Sequence, residues 1–151
     1  MNHFMMQTRL GPIEIKDDGA AITALRFVQK SEAPGAQTPL QVLAAEQIEE
    51  YLNGRRQGFD LPLAPKGTAF QQAVWQALLN IPYGETRSYG QLAALLGRPK
   101  AARAVGGANG RNPIALIIPC HRVIETSGGL GGYAYGVPIK RELLGLEGRK
   151  P

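Results

Sequence analysis

The stretch IIPCHRVI, residues 117–124, holds the side chains of this chain that are best suited to covalent chemistry. Cys120 is the only cysteine, His121 is one of two histidines, and Arg122 follows directly. A thiol attacks as its thiolate, and a nearby imidazole or guanidinium lowers the pKa of such a thiol. The pattern therefore suggests a nucleophile, although a lone cysteine that is only a small buried hydrophobe would look the same in sequence.

Adjacency in sequence does not bring these groups together, because neighbours on a strand point to opposite faces. Pro119 favours an irregular backbone on which Cys120 and His121 meet directly or through a water. One cysteine and two histidines, with His3 at the far terminus, do not have the spacing of zinc ligands. We therefore expect no metal and no cofactor.

Length and composition predict a small protein of a reducing compartment. The 151 residues allow one core or two small ones, and a single cysteine cannot form an internal disulfide. The N-terminal sequence has no signal-peptide pattern, and the longest aliphatic run, residues 114–118, is too short to span a bilayer. We expect a soluble, cytoplasmic protein that contacts no membrane.

Charge is divided unevenly between the two halves of the chain. Residues 1–65 contain six Lys or Arg and eight Asp or Glu, a net charge of −2. Residues 66–151 contain eleven Lys or Arg and four Asp or Glu, a net charge of +7. A basic half is typical of a polyanion partner such as nucleic acid, and ordinary solubility charge is the alternative.

The order of elements predicts an α/β protein of the α+β kind. Residues 1–30 alternate apolar and polar positions around a DDG turn, which predicts two or three antiparallel strands. Residues 38–53 predict a helix with Thr38 as its N-cap. The Pro- and Gly-rich stretch that follows places a domain boundary near Pro65. We expect a structural sheet-plus-helix domain over 1–65 and a mostly helical functional domain over 66–151.

Two capping boxes start the helices of the second half, at Thr68 with Gln71 and at Ser88 with Gln91. The first of these helices has an apolar face, expected in the core, that consists of Phe70, Val74, Ala77 and Leu78. The second is stopped by Gly97, and another short helix is expected from Pro99. Two short helices joined by a tight turn are typical of a helix-turn-helix and also of plain helical hairpins. IALIIP then predicts a buried strand or extended run, and PIKRELLGLEG predicts a terminal amphipathic helix.

At this point three segments together resemble one family. NPIALIIPCHRVI is similar to the active-site segment of the O6-alkylguanine-DNA alkyltransferases, whose hallmark is Pro-Cys-His-Arg. IPYGETRSYGQLAALLGRPKAARAVGGANGRNP before it and GGLGGYAYG with KRELLGLEG after it resemble the same family, in the same order. The resemblance is close over roughly residues 66–149 and holds only in outline before them.

The resemblance implies a suicide repair reaction in which Cys120 takes the alkyl group from O6 of guanine, and also from O4 of thymine, in a single turnover. His121 would act as the base through a water, and Glu147 would orient His121. Asn112 would brace the active-site loop, and Tyr89 would protonate the departing guanine. The residues alone favour Glu147 as an exposed helix-terminal acid, and for Tyr89 they leave open an aromatic side chain of the core or of the capping face.

The resemblance also implies double-stranded DNA containing O6-alkylguanine as the partner of a monomer, with the second helix of the helix-turn-helix in the minor groove. The target base must be flipped out of the stack, and Arg103 would fill the space that it leaves. Arg103 alone is equally a phosphate contact or a solvated charge. The expected DNA-binding residues are Ser88, Lys100, Ala102, Arg103, Gly106 and Arg122.

The expected substrate pocket consists of Pro119, Val123, Tyr133, Ala134 and Tyr135. Ala134 stands where many family members carry Ser or Ala, and Tyr135 stands where small glycines are common. We hypothesise that Tyr135 narrows the pocket and favours methyl over benzyl groups; the alternative is that it points to solvent or to the DNA backbone. The resemblance brings no zinc ligands to this chain.

Two other functions compete with repair. Alkyltransferase-like proteins share the fold, lack the cysteine and bind alkylated DNA without catalysis, so Cys120 argues against a non-catalytic protein that flags lesions. A cysteine hydrolase would usually place its histidine far from the cysteine in sequence and would need an oxyanion hole. Nothing independent in the sequence supports a hydrolase.

Overall fold

The computed structural model describes residues 2–30, 35 and 37–148, and the chain divides into two compact units. The first unit comprises Met1–Lys66 with Pro113–Ile117, and the second comprises Gly67–Asn112 with Ile118–Pro151. The division after Lys66 lies next to the boundary expected at Pro65. The second domain was expected to contain all of residues 66–151, whereas Pro113–Ile117 belongs to the first unit. No helix among the described residues is long and apolar enough to cross a membrane.

The first unit is a three-stranded antiparallel sheet with one helix. Its elements are β1 (Asn2–Thr8), β2 (Gly11–Asp17), β3 (Ile22–Phe27) and α1 (Pro39–Leu52). Asp18 forms the β2–β3 turn, since its Oδ1 accepts hydrogen bonds of 2.9 Å from the N–H groups of Ala20 and Ala21. These bonds hold the pKa of Asp18 below its usual value. Helix α1 begins with a capping box between Thr38 and Gln41.

Pro113–Ile117 pairs with β3, which is why it belongs to the first unit. Ile114 forms a parallel β-bridge with Leu25, whose backbone both donates to and accepts from the segment at 2.9 Å. The chain then turns, and Leu116 has a φ of 69°, a left-handed conformation that is rare for a non-glycine residue. The expected strand or extended run is therefore one bridge followed by a buried turn.

The second unit is mostly helical. Its elements are α2 (Ala69–Leu79), β4 (Arg87–Ser88), α3 (Tyr89–Leu95), α4 (Ala102–Gly110), β5 (Val123–Ile124) and α5 (Val137–Leu146). Both predicted capping boxes are present, since the hydroxyls of Thr68 and Ser88 accept hydrogen bonds from the third residues of α2 and α3. A small antiparallel sheet with one helix, followed by a mostly helical unit, confirms the predicted fold class.

Helices α3 and α4 pack against each other as a helix-turn-helix. Gly97, at a φ of 73°, ends α3 in the left-handed conformation that glycine adopts most readily. Helix α4 starts at Ala102 and not at Pro99, because the N–H of Ala101 donates to the carbonyl of Arg98 in an intervening turn.

Trp75 is the central buried residue of α2, and the predicted apolar face omitted it. Of that face, Val74 and Leu78 are buried, while Phe70 and Ala77 are half-buried. The indole N–H of Trp75 donates a 2.9 Å hydrogen bond to the carbonyl of Ala108 in α4. This contact ties α4, the second helix of the helix-turn-helix, to α2.

We predict that Trp75→Phe lowers the free energy of unfolding by about 2 kcal/mol, because the buried carbonyl of Ala108 loses its donor. Urea denaturation at neutral pH measures this change. Leu79→Ala, in the same helix at a side chain that is 39% exposed, is the control and should change stability by less than about 0.5 kcal/mol. Equal losses in both variants would contradict the prediction.

Candidate active site

Cys120, His121 and Arg122 lie on one turn of 3-10 helix and not on a strand. The carbonyl of Pro119 accepts a 3.0 Å hydrogen bond from the N–H of Arg122, and the N–H of Cys120 donates to the carbonyl of Ile118 at 2.8 Å. Successive residues of a 3-10 turn are rotated by about a third of a turn. The three neighbouring side chains therefore leave the backbone in three directions.

Cys120 lines a cavity of about 160 Å³. Its walls come from the start of α3, from α4, from the Cys120–Arg122 turn and from the glycine-rich loop of residues 128–136. The residues that line it are Tyr89, Gly106, Asn109, Gly110, Asn112, Cys120, Gly132, Tyr133, Ala134 and Tyr135. The loop residues expected in the pocket, Tyr133, Ala134 and Tyr135, are among them. Tyr133 and Tyr135 pack edge to face, with ring centroids 5.6 Å apart.

Val123 and Pro119, which were also expected in the pocket, do not line this cavity. Both are buried. The carbonyl of Val123 faces Lys140, and the carbonyl of Pro119 closes the turn onto Arg122. These two residues shape the backbone around the nucleophile without forming the wall of the cavity.

The thiol of Cys120 is 4% exposed, and burial raises its pKa above the ordinary value. Hydrogen bonds from the side chains of Asn112 and Tyr133, together with the charge of Lys140, act in the opposite direction. Burial is the larger influence, so the resting thiol is protonated at neutral pH. It needs a base to become a nucleophile.

Two buried asparagines hold the backbone on either side of the thiol. Asn112 donates through Nδ2 to the carbonyl of Ile118 at 2.7 Å, and Asn109 donates through Nδ2 to the carbonyl of Cys120 at 3.3 Å. Asn112 was expected to brace this loop, whereas the similar contact of Asn109 was not predicted. A polar side chain on the buried face of α4 was the signal that could have identified it.

His121 and Glu147 are brought together in the interior of the second unit. The Nε2 atom of His121 lies 2.9 Å from Oε2 of Glu147, and both side chains are buried. Burial lowers the pKa of His121, although Glu147 acts in the opposite direction. The imidazole is therefore neutral at neutral pH. Glu147 is not an exposed helix-terminal acid, because it caps the C-terminal end of α5 inside the unit.

Arg122 was expected to bind DNA, but its side chain is bound to other groups of the protein. Its Nε and Nη2 donate to the two carboxylate oxygens of Glu147 at 2.8 and 2.9 Å. Its Nη1 donates to the carbonyl of Ile81 at 2.7 Å, and its guanidinium lies 5.7 Å from the ring centroid of Tyr83. All three donor nitrogens are directed into the interior, so Arg122 does not present its charge to a surface ligand.

Lys140 is a buried residue of the site that the sequence analysis missed. Its Nζ donates to the carbonyl of Val123 at 2.6 Å and to the carbonyl of Gly132 at 3.0 Å. It therefore links the strand after the nucleophile to the pocket loop. The helical spacing of Lys140, Leu143, Leu144 and Glu147 places all four on the buried face of α5, and this pattern was readable in the sequence.

Tyr89 stands between the thiol cavity and a second cavity of about 450 Å³. Burial raises the pKa of Tyr89, and the negative charges of Glu125 and, once it is ionised, of Cys120 raise it further. The phenol is therefore protonated at neutral pH and can donate a proton. Gly131, at a φ of 73°, leaves space for the ring of Tyr89. A Cβ at this position would lie 3.5 Å from the hydroxyl of Tyr89 and 3.2 Å from Cγ of Glu125.

The remaining candidate DNA-binding residues lie around α4. Ala102, Arg103 and Gly106 line the second cavity, and Arg103 and Lys100 are exposed. Ser88 is half-buried, and its hydroxyl accepts the N–H of Gln91 as the cap of α3. Among the described residues, no group of three or more His, Cys, Asp or Glu side chains could hold a metal ion.

Comparison with known proteins matches both parts of the chain to one family. Residues 69–149 match the DNA binding domain of 6-O-methylguanine DNA methyltransferase, and residues 1–65 match the ribonuclease-like domain of the same protein. A methylated-DNA–protein-cysteine methyltransferase of Methanosarcina acetivorans is 47% identical over 154 residues, covering 98% of this chain and 99% of the relative.

Two solved structures are also similar. A crystal structure of Mycobacterium tuberculosis OGT in complex with DNA has a TM-score of 0.89 at 46% identity and covers 97% of this chain and 92% of its own. Schizosaccharomyces pombe Atl1, in complex with damaged DNA containing O6-carboxymethylguanine, has a TM-score of 0.50 at 31% identity. That likeness covers 55% of this chain and 79% of Atl1.

We predict that the thiol makes stability fall at alkaline pH. A thiol ionises near pH 9.0 once the chain unfolds, whereas the buried Cys120 stays protonated above that pH. The unfolded state therefore loses a proton first, and the free energy of unfolding falls as pH rises past 9.0, by at most about 1.4 kcal/mol per pH unit from this group.

Urea unfolding curves between about pH 8 and pH 10.5 measure this slope. Cys120→Ser is the matched control, because its hydroxyl does not titrate in this range and the difference in slope isolates the thiol. Parallel curves for the two proteins would contradict the prediction.

Proposed function

The chain belongs to the 6-O-methylguanine DNA methyltransferase family, and on that premise we propose that it repairs DNA by moving a methyl group from O6 of guanine to the sulfur of Cys120. The observation that carries the proposal is the position of the chain's only cysteine, buried in the wall of a cavity beside α4, next in sequence to a histidine that is hydrogen-bonded to Glu147. The product is a thioether, so each molecule reacts once. O4 of thymine presents the same chemistry, and we include it in the proposal.

The reaction begins with removal of the thiol proton. Because Nε2 of His121 lies against the acceptor Glu147, Nε2 carries the hydrogen and Nδ1 is the basic nitrogen. We propose that Nδ1 takes the proton from Cys120 through a water. The sulfur then attacks the methyl carbon, the S–C bond forms, and the bond from carbon to O6 breaks.

The leaving group is guanine, which departs with the electron pair of the broken C–O bond. Tyr89 supplies a proton or a hydrogen bond to it, because its phenol is protonated and lines the same cavity as the thiol. The proton that His121 received returns to Tyr89 through solvent. The net reaction turns O6-methylguanine into guanine and the thiol into a methyl thioether.

The substrate base has to leave the duplex to reach a buried thiol. We propose that α4 enters the minor groove, where its small residues Ala102 and Gly106 permit close approach and Arg103 fills the vacated space. Arg103 lines the cavity next to the one that holds Cys120, which supports this placement. Lys100 and Ser88 would contact the backbone, and such binding weakens as salt concentration rises.

We further propose that the protein acts as a cytoplasmic monomer. A single, buried, reduced cysteine fits a reducing compartment. All the residues assigned to the reaction lie in one chain, so a second copy is not needed to complete the site.

A non-catalytic lesion binder is the second candidate, and the likeness to Atl1 in complex with damaged DNA favours it. The two candidates differ in chemistry at one atom, the sulfur of Cys120. A binder would hold O6-alkylguanine without a change in its own mass, whereas a repair protein would gain the alkyl group.

We predict that incubation with a duplex oligonucleotide containing O6-methylguanine adds one methyl group to each protein molecule, measured by intact mass. The unmodified duplex should add nothing. Cys120→Ser should bind the lesion duplex without gaining mass, because a hydroxyl is a far weaker nucleophile. Binding of the wild type with no mass change would favour the lesion binder, and a methyl group on Cys120→Ser would refute the assignment of the nucleophile.

We predict that Tyr135→Gly raises the rate of benzyl transfer relative to methyl transfer by about tenfold, because the ring of Tyr135 narrows the thiol cavity. Rates of protein modification by O6-benzylguanine and O6-methylguanine duplexes give this ratio. Tyr135→Phe keeps the ring and should keep the wild-type ratio. Equal ratios in the wild type and Tyr135→Gly would show that Tyr135 does not limit the size of the alkyl group.

A further inference from the structure

Arg122 is a buried cation that the proposed reaction does not use, and it shares one carboxylate with the proposed base. We propose that Arg122 is a positioning residue with two effects on His121: it pairs with Glu147, so that this carboxylate accepts the Nε2 hydrogen and leaves Nδ1 as the basic nitrogen, and its own positive charge disfavours a second proton on the imidazole. This inference rests on the proposed function, because it explains how the resting site keeps its base ready.

The geometry fixes all three groups against one another. Arg122 makes a two-pronged contact with Glu147, at 2.8 Å to Oε1 and 2.9 Å to Oε2. Oε2 also lies 2.9 Å from Nε2 of His121, so the same oxygen serves both partners. The third nitrogen of Arg122 is held by the carbonyl of Ile81 at 2.7 Å. The guanidinium therefore cannot rotate without breaking three hydrogen bonds.

The low solvent exposure of these three side chains makes their contacts strong. The side chains of His121 and Glu147 are 0% and 1% exposed, and that of Arg122 is 9% exposed. Charges in such surroundings are weakly screened, and an unpaired carboxylate there would be costly. A paired guanidinium is the reason that Glu147 can remain ionised without taking a proton.

Burial is the largest influence that lowers the pKa of His121; Glu147 raises this pKa, and the charges of Arg122 and Lys140 lower it. The charged groups that act on His121 are Glu147 at the end of α5, Lys140 within α5 and Arg122 from its own turn. The titratable groups next to these are the thiol of Cys120, the preceding residue, and the phenol of Tyr83, which Arg122 contacts. Helix α2, which packs against the turn, contains no titratable side chain. The positive charge of Arg122 therefore offsets part of the effect by which Glu147 favours a proton on His121.

Removing Arg122 should therefore raise the pKa of His121. Glu147 would then be a buried carboxylate whose best partner is a protonated His121, and the two would form an imidazolium–carboxylate pair. Such an imidazolium has no lone pair with which to accept the thiol proton. The base would be lost at neutral pH and recovered only at higher pH.

The test follows the titration of the histidines by NMR in protein labelled with ¹⁵N. His3, the only other histidine in the sequence, serves as an internal reference. In the wild type we expect His121 to titrate below 6.5, and in Arg122→Met above 6.5. The double variant Arg122→Met/Glu147→Gln removes both charges, and its His121 should again titrate below 6.5. A His121 that titrates alike in the wild type and in Arg122→Met overturns the proposal.

Arg122→Lys keeps the positive charge without the two-pronged contact. We expect it to be less stable but to leave His121 titrating below 6.5, and an upward move in this variant would also overturn the proposal. This second variant gives a decision even if Arg122→Met does not fold.

The rate of methyl transfer to the O6-methylguanine duplex gives the second readout. Near pH 6.5, Arg122→Met should react about tenfold or more slowly than the wild type, and the difference should shrink towards pH 8.5. A loss that is equal at every pH would indicate a purely structural role. Failure of the wild type to gain a methyl group would refute the proposed function, whereas the histidine titration needs no DNA and tests Arg122 alone.

Discussion

The carboxylate of Glu147 is the group on which the site depends, because an ionised side chain with 1% exposure is stable only when its oxygens are fully paired. Arg122 and His121 provide that pairing. Glu147 lies at the C-terminal end of α5, and Arg122 also holds the carbonyl of Ile81 beyond the end of α2. One carboxylate therefore joins the nucleophile turn, the last helix and the first helix of the second unit. The orientation of the imidazole follows from this junction.

Burial gives Cys120 two properties that would otherwise conflict. A buried thiol with a raised pKa is mostly protonated and reacts slowly with solutes, which protects a residue that can be used only once. The cavity beside it gives access to a flat base brought in by DNA. In the proposed reaction, the thiol reacts where His121 receives its proton and Tyr89 supplies one. Small residues of α4 and glycines of the pocket loop keep that path open.

Much of the local structure could be predicted because its causes are local. Capping boxes join residues three positions apart, and the predicted ones at Thr68 and Ser88 are present in the structure. The turn at Asp18 and the end of α3 at Gly97 follow from the same short-range chemistry. The prediction was less accurate where residues far apart in sequence are in contact. Ile114, for example, forms a single bridge with Leu25 of β3 and is not part of a strand.

The family and the order of the elements could be inferred from the sequence, because motif spacing and helix caps depend on residues that are close together along the chain. Only the tertiary structure decided the direction of Arg122, the burial of Lys140 and the absence of Val123 from the cavity wall. The partners of these residues lie far along the chain: Glu147 is 25 positions from Arg122, Ile81 is 41, and Val123 is 17 positions from Lys140. A charged residue binds DNA or braces a core according to which partners folding brings within 3 Å, and sequence neighbours do not specify that choice.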